Sequence, residues 1–133
     1  MEYFKLANGA LMPAIGFGTV NVAREGGRLE NPLTDDFSAI TTALQAGYRL
    51  FDSPLNFTKA RGIKIVDPTY MQKLTLLGQR HKKSWSQILL RYNYQNGLVS
   101  IPGSSKPEHQ TANLDIFDFE LSELEMEEIA FKD

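Results

Sequence analysis

Two short apolar runs, 4–6 and 11–12, lie at the N-terminus on either side of Asn8-Gly9. Asn-Gly between such runs is typical of a two-residue β-hairpin with a type I′ turn, since both central residues of that turn need a positive φ. The next apolar run, 14–19, predicts a parallel strand whose glycines leave room for a ligand beside the strand end. The chain therefore begins with a predicted hairpin and a predicted buried strand.

The first helical pattern lies between Thr34 and Gly47. Thr34 is a good N-cap, and apolar residues recur at helical spacing at Phe37, Ile40 and Leu44. Gly47 suits the position just after the last helical residue. This pattern predicts an amphipathic helix that leads into a short strand over 49–52.

The second half of the chain shows a strand pattern over 63–66 and then several helix starts. Asp67 and Pro68 are typical of an N-cap followed by the first helical position. Three pairs match the capping-box pattern, namely Ser84 with Gln87, Ser105 with Glu108 and Ser122 with Glu125. A β-branched run, 98–101, comes between the first and second of these helices. Four strand–helix units in series favour a parallel α/β fold.

Composition excludes several classes of protein. The chain has 14 Lys and Arg against 16 Asp and Glu, a formal net charge of −2, so no basic nucleic-acid surface is indicated. No apolar run approaches the ~20 residues of a membrane span, and a cytoplasmic protein is the expectation. With no cysteine and only His81 and His109, which we expect on solvated helix surfaces, metal chemistry is not indicated.

The loop and helix start after the last strand would point backbone N–H groups at a phosphate. This loop belongs to a set of recognisable segments, which are MPAIGFGT (12–19), AGYRLFDS (46–53), LVSIPGSSKPEH (98–109), Asn113 and FDFELS (117–122). Together these segments resemble the aldo-keto reductase family. The resemblance implies a TIM (β/α)8 barrel.

A barrel of this type takes about 250 residues, and this chain has 133. Residues 1–57 resemble the first two barrel units, and 60–133 resemble the seventh and eighth. The resemblance therefore implies one truncated domain, a half-barrel of about four units with an N-terminal hairpin and a junction near 57–60. Either the gene carries this deletion, or the sequence joins segments of a longer protein.

The missing units would be contiguous in space. Strand eight of a closed barrel neighbours strand one, so strands seven, eight, one and two would form one sheet with raw edges near Phe51 and Ile65. Such edges favour association. A homodimer related by a two-fold along the barrel axis would pair the edge near Phe51 of one copy in parallel with the edge near Ile65 of the other, and so rebuild an eight-stranded ring.

The resemblance also implies a catalytic set of Asp, Tyr, Lys and His that reduces aldehydes and ketones with NAD(P)H. Asp52 matches the aspartate, but Phe57 stands where the tyrosine donates its proton, and no residue matches the lysine or histidine. We therefore expect no turnover from this chain. The alternative is a non-catalytic fragment that binds a nucleotide weakly or only itself. Asp52 also has a structural alternative, a turn cap with Ser53-Pro54.

The family's NADP(H) or NAD(H) site is partly matched. The residues at cofactor-contacting positions are Gly18, Thr19, Ser104, Ser105, His109 and Asn113. Gly103 and His109 stand where the family often has Lys and Arg, and Ala112 where it has Glu. Without those cations, we expect weaker binding of a 2′-phosphate and less preference for NADP over NAD. Ser104 and Ser105 have an equal structural alternative, which is to cap the following helix.

Overall fold

The computed structural model describes residues 1–19, 22, 24–28, 31–52 and 67–130. The strands are β1 (Tyr3–Lys5), β2 (Leu11–Pro13), β3 (Phe17–Gly18) and β4 (Phe51–Asp52). The helices are α1 (Ser38–Ala46), α2 (Pro68–His81), α3 (Trp85–Gln95), α4 (Pro107–Leu114) and α5 (Glu123–Glu128), with a 3₁₀ turn at Glu25–Gly27.

The predicted N-terminal hairpin is present, but its turn differs from the prediction. Strands β1 and β2 pair antiparallel, with Phe4 opposite Met12. Gly9 has φ +84° while Asn8 does not have a positive φ, and Gly9 N–H donates to the carbonyl of Leu6 at 2.9 Å. The loop is therefore a type I turn closed by a left-handed glycine. The Asn8 side chain accepts from Ala10 N–H at 3.0 Å, which stabilises this turn instead of the I′ form.

A small parallel arrangement forms the centre of the fold. Strand β4 pairs with one side of β3, with Phe17 opposite Phe51. On the other side, Ile15 bridges Ser100 in parallel, and Gly18 N–H donates to the carbonyl of Pro102 at 3.2 Å. Segment 98–102 therefore lies beside the N-terminal strand, as expected if the last strand of a barrel neighbours the first.

Most predicted helix starts are confirmed. Asp67 accepts from Thr69 N–H at 2.9 Å with Pro68 in the first turn. The reciprocal capping boxes of Ser84 with Gln87 and of Ser122 with Glu125 are both present. In each case a local side chain satisfies backbone N–H groups that the helix itself leaves free.

The start of α1 is a correction. The N-cap is Phe37 and it makes no side-chain cap bond, so Thr34 is not the N-cap. Asp36 instead accepts from Ser38 N–H at 3.0 Å. The buried face is Ala39 and Ala43, while Phe37 and Leu44 are exposed. The predicted end is right, since Gly47 adopts φ +115° and returns its N–H to Ala43.

Two apolar clusters support these elements. The first joins the central strands to α1 and α3, and its buried members are Ile15, Phe17, Val22, Ala39, Ala43, Tyr48, Leu90 and Ile116. The second joins α2, α3 and the C-terminal segment, through Leu74, Leu77, Ile88, Leu121 and Ile129. Phe51 of β4 packs against the first cluster, which already contains Phe17 of β3.

The described residues form small sheets in a mixed α/β arrangement, and they form no closed barrel. The predicted strand 63–66, the junction near 57–60 and Phe57 lie outside the described residues. In the part of the chain that the structure describes, no helix is long and apolar enough to cross a membrane.

Candidate functional site

The carboxyl ends of the central strands bring three of the predicted residues together. Gly18 pairs with Asp52 in the parallel register. Thr19 donates both its N–H, at 3.0 Å, and its hydroxyl, at 2.8 Å, to the main-chain carbonyl of Asp52. The Asp52 side chain is exposed, and among the described residues it forms no ion pair. Here the main chain of Asp52 is engaged and its carboxylate is not.

Gly103 connects these strand ends to the loop that precedes α4. A Cβ at Gly103 would collide with the carbonyl oxygen of Gly18, and a Cβ at Gly18 would lie 2.7 Å from the carbonyl oxygen of Ile101. Neither position accepts a side chain without a backbone shift. Glycine at 103, where the resemblance leads one to look for Lys, therefore has a steric cause in this chain.

The start of α4 is not capped as the sequence pattern predicts. Its N-cap is Lys106, and no side chain caps the helix, so the predicted box of Ser105 with Glu108 is wrong. Ser104 instead accepts from Lys106 N–H through its hydroxyl at 3.1 Å. Capping by Ser105, one of the two alternatives for this loop, is thus excluded.

Three of the predicted cofactor residues line one groove. Ser104, His109 and Asn113 share it with one face of α3 and with segment 98–102, and its volume is about 1180 Å³. His109 and Asn113 are four residues apart on α4 and so lie on the same helix face. The opposite part of the groove is apolar, with Trp85 42% exposed and Ile101 43% exposed.

A buried hydrogen-bond network lies behind this groove. The Tyr48 hydroxyl donates to the main-chain carbonyl of Gln110 at 2.9 Å and also bonds to the Asn113 side chain. The Gln110 amide donates to the carbonyls of Ala39, at 3.1 Å, and of Ser104, at 2.8 Å. Burial raises the pKa of Tyr48 despite the bond to Asn113, so the hydroxyl remains a donor.

The structure thus divides the predicted site residues into two groups. Gly18, Thr19 and Asp52 meet at the strand ends, and Ser104, His109 and Asn113 meet in the groove. Sequence reasoning missed Tyr48 and Gln110, which join Ser104 and Asn113 from behind. A glutamine at a position of α4 that faces the core was the available signal, because a buried amide needs partners.

The expectation that both histidines are solvated is half right. His109 is exposed. His81, in contrast, places Nε2 2.9 Å from a carboxylate oxygen of Glu125, which also pairs with Arg80 at 3.3 Å. In the described part of the chain no cluster of His, Cys, Asp or Glu could hold a metal ion.

Comparison with known proteins agrees with the geometry. The model of the aldo/keto reductase family matches residues 66–133. A 56-residue stretch is 50% identical to mouse aldo-keto reductase family 1 member D1, covering 42% of this chain and 17% of that protein. The glyoxal reductase of Bacillus subtilis (strain 168) is 46% identical over 56 residues, which cover 42% of this chain and 20% of that protein.

A longer match aligns 87 residues with the NADH-dependent D-xylose reductase of Candida parapsilosis at 34% identity, covering 63% of this chain and 26% of that protein. This chain therefore matches about a quarter or less of the length of these relatives. A crystal structure of an aldo/keto reductase from Brucella melitensis superposes with a TM-score of 0.69 at 15% identity, covering 96% of this chain and 98% of that one. That likeness shows the fold alone. With more than half of its 133 residues matched by the family model, the chain belongs to the aldo/keto reductase family.

Proposed function

We propose that this chain is a nucleotide-binding member of the family that does not itself reduce carbonyl compounds. One observation carries the proposal, which is the difference between its two groups of site residues. Ser104, His109 and Asn113 share a groove supported by buried hydrogen bonds. Asp52 is exposed and has no cationic partner among the described residues.

The groove suits the adenosine end of NAD(P)(H). The N-terminus of α4 has no side-chain cap. Pro107 has no N–H and His109 N–H donates to the Lys106 carbonyl at 3.1 Å, so the Glu108 N–H is the first-turn donor available to an external acceptor such as a phosphate. The exposed Lys106 adds a positive charge beside that loop. The close approach of Gly18 and Gly103 leaves a side-chain-free surface between the loop and the strand ends.

We infer little discrimination between the two dinucleotides. Gly103 and His109 supply no fixed cation for a 2′-phosphate, and a guanidinium fork or an ammonium is the usual way to hold one. The relative from Candida parapsilosis is named an NADH-dependent enzyme, so the family accommodates NADH. We expect affinities near the millimolar level, equivalent to about −4 kcal/mol.

Catalytic silence follows from the chemistry that the reaction needs. A bound NAD(P)H would supply the hydride, and a proton must reach the carbonyl oxygen from a donor within hydrogen-bond reach. Phe57, five residues after Asp52, has no proton to give. Among the described residues no lysine pairs with the Asp52 carboxylate, and an aspartate alone supplies no such donor.

An absorbance assay tests this part of the proposal. Purified protein with NADPH and a nitrobenzaldehyde should give no loss of absorbance at 340 nm above background. Phe57→Tyr should leave the rate at background, because no lysine tunes the restored hydroxyl. Turnover within a few hundredfold of ordinary family enzymes would refute catalytic silence.

We also propose that the chain is one truncated domain, joined near 57–60, and that two copies associate. Segment 98–102 and β4 flank β3 on opposite sides, so β4 carries the predicted edge near Phe51, whereas the predicted edge near Ile65 lies outside the described residues. The exposed apolar side chains of Phe37 and Leu44, at the start of α1 and on it, add apolar surface that a second copy would cover. Sedimentation at micromolar concentration should show a dimer, and a compact monomer with a cooperative thermal transition would refute it.

A further inference from the structure

Gln110 is the polar side chain that the fold buries most completely among the described residues. It is 0% exposed and sits on α4. Its Nε2 donates to the carbonyl oxygen of Ser104 at 2.8 Å and to that of Ala39, on α1, at 3.1 Å. One side chain therefore ties the loop before α4 to a helix that is distant in sequence.

This arrangement leaves part of the same side chain unsatisfied. The Oε1 of Gln110 has no hydrogen-bond donor among the described residues. An unsatisfied buried carbonyl oxygen is unfavourable, and an apolar side chain of similar size would avoid that penalty. Burial of the side chain therefore does not account for glutamine at this position, whereas its two donated bonds to Ala39 and Ser104 do.

Among the described residues, the hydrogen bonds from Gln110 connect the loop 103–106 to α1, which is distant in sequence. The Ser104 hydroxyl bonds only locally, to Lys106 N–H, and the N-cap itself has no side-chain partner. The main-chain carbonyl of Gln110 accepts from Tyr48, which also bonds to Asn113. Ser104, in the loop before α4, and Asn113, on α4, are thus held by one buried network.

We propose that Gln110 is a positioning residue, which fixes the loop 103–106 against α1 through the Ser104 carbonyl and so holds the phosphate-binding part of the groove in a single arrangement. The effect on nucleotide affinity rests on the proposed function, and the effect on the loop does not. Gln110 itself faces the core, and it acts on a ligand only through Ser104 and the loop.

The test is Gln110→Met, which keeps the size of the side chain and removes both donors. Nuclear magnetic resonance relaxation should give backbone order parameters near 0.85 for Ser104 and Ser105 in the unmodified protein and below about 0.6 in the variant. The dissociation constants of NAD⁺ and NADP⁺ should both rise about tenfold, the loss of roughly one hydrogen bond.

A matched control separates positioning from general stability. Gln95 also bridges a helix to a distant main chain, donating to Leu121 O at 3.0 Å and accepting from Leu121 N–H at 2.8 Å. Gln95→Met should lower the melting temperature while the order parameters of Ser104 and Ser105 and both dissociation constants stay unchanged. A purely structural role for Gln110 would make the two variants behave alike.

The outcomes are distinct. If the loop stays rigid and both nucleotides bind equally well in Gln110→Met, the positioning role is overturned. If the unmodified protein binds neither nucleotide, the proposed function fails, and the order parameters alone decide the role of Gln110. If the variant does not fold, hydrogen exchange of the Gln110 side-chain amide is measured in the unmodified protein. Slow exchange of the Nε2 protons supports the bonds to Ala39 and Ser104, and fast exchange refutes them.

Discussion

The strand-end group and the groove group of site residues are built in opposite ways. At the strand ends, the main chain of Asp52 is bonded twice by Thr19, while its carboxylate is exposed. In the groove, side chains provide the support, since Tyr48 and Gln110 contact Ser104 and Asn113 from the buried side. Under the proposed function, the first region keeps the backbone of a family site without its chemistry, and the second keeps the means to orient a ligand.

The largest expected effect is at Gly103, where the two regions touch. Gly103→Lys introduces a cation that could hold a phosphate, but its Cβ collides with the Gly18 carbonyl. Overpacking of a rigid backbone contact should cost about 3 kcal/mol, measurable by urea unfolding.

Gly97→Ala provides the control for that variant. Gly97 has φ +75° with open space around it, so alanine there brings left-handed strain alone, about 1–2 kcal/mol. Equal losses from Gly103→Lys and Gly97→Ala would remove the steric account of Gly103.

Lowering the pH should destabilise the fold that supports both regions, because it protonates Glu125. Burial raises the pKa of Glu125, but hydrogen bonds from Ser122 and His81 outweigh it, and the pKa lies below its usual value of 4.5. A carboxylate whose pKa is lower in the folded than in the unfolded protein stabilises the fold at pH values above its unfolded-state pKa. That contribution is lost as the pH falls through the folded-state pKa. The unfolding free energy should therefore decrease below about pH 4.5.

Glu125→Gln checks this assignment. Removing the charge should lower stability at pH 7 by about 1.5 kcal/mol, since hydrogen bonds to charged groups contribute about 1.5–3 kcal/mol. The variant should also show a shallower loss on acidification. An unchanged acid profile would assign the pH dependence to another carboxylate.

Asn113→Ala probes the groove side. Tyr48 keeps its bond to Gln110 and loses the one to Asn113, so the stability loss should be about 1 kcal/mol. Nucleotide affinity should fall several-fold, as followed by fluorescence or resonance titration. Loss of stability with unchanged affinity would make Asn113 a packing residue only.

Lys106→Gln should act in opposite directions on stability and binding. A cation at a helix N-terminus opposes the helix dipole, so its removal should stabilise the protein by about 0.3–0.5 kcal/mol. The affinity for NAD⁺ should fall several-fold, and this loss should shrink at high salt. A loss of stability, or no change in affinity, would contradict the role given to Lys106.

Asp52→Asn should have the smallest effect. The carboxylate is exposed and unpaired among the described residues, and the bonds from Thr19 go to the main chain. Stability should change by less than about 0.5 kcal/mol, and absorbance at 340 nm with NADPH and aldehyde should stay at background. Turnover in the unmodified protein that Asp52→Asn abolishes would show that Asp52 works in catalysis.

Local signals in the sequence predicted much of the fold, and long-range contacts explain the rest. Asp67, Ser84 and Ser122 start their helices as predicted because capping depends on a few adjacent residues. Ser105 does not, because α4 begins one residue later, with Lys106 as its N-cap. No spacing rule could indicate that Gln110 bonds to Ala39, 71 positions away.

The candidate site shows the same division. Resemblance assigned Ser104, His109 and Asn113 to one site, and they lie in one groove. The reason for glycine at 103 is a contact between main chains, which depends on how closely segment 98–102 approaches β3. Side-chain identity alone could not predict that contact.

Titration of isotope-labelled protein with NAD⁺ and NADP⁺ tests the central claim most directly. The account predicts saturable shifts of the amide resonances of Ser104, Ser105 and Asn113, with dissociation constants near a millimolar for both nucleotides and differing by less than about threefold. Resonances that do not move at several millimolar nucleotide would contradict it. Micromolar binding with strong selectivity for NADP⁺ would contradict it as well.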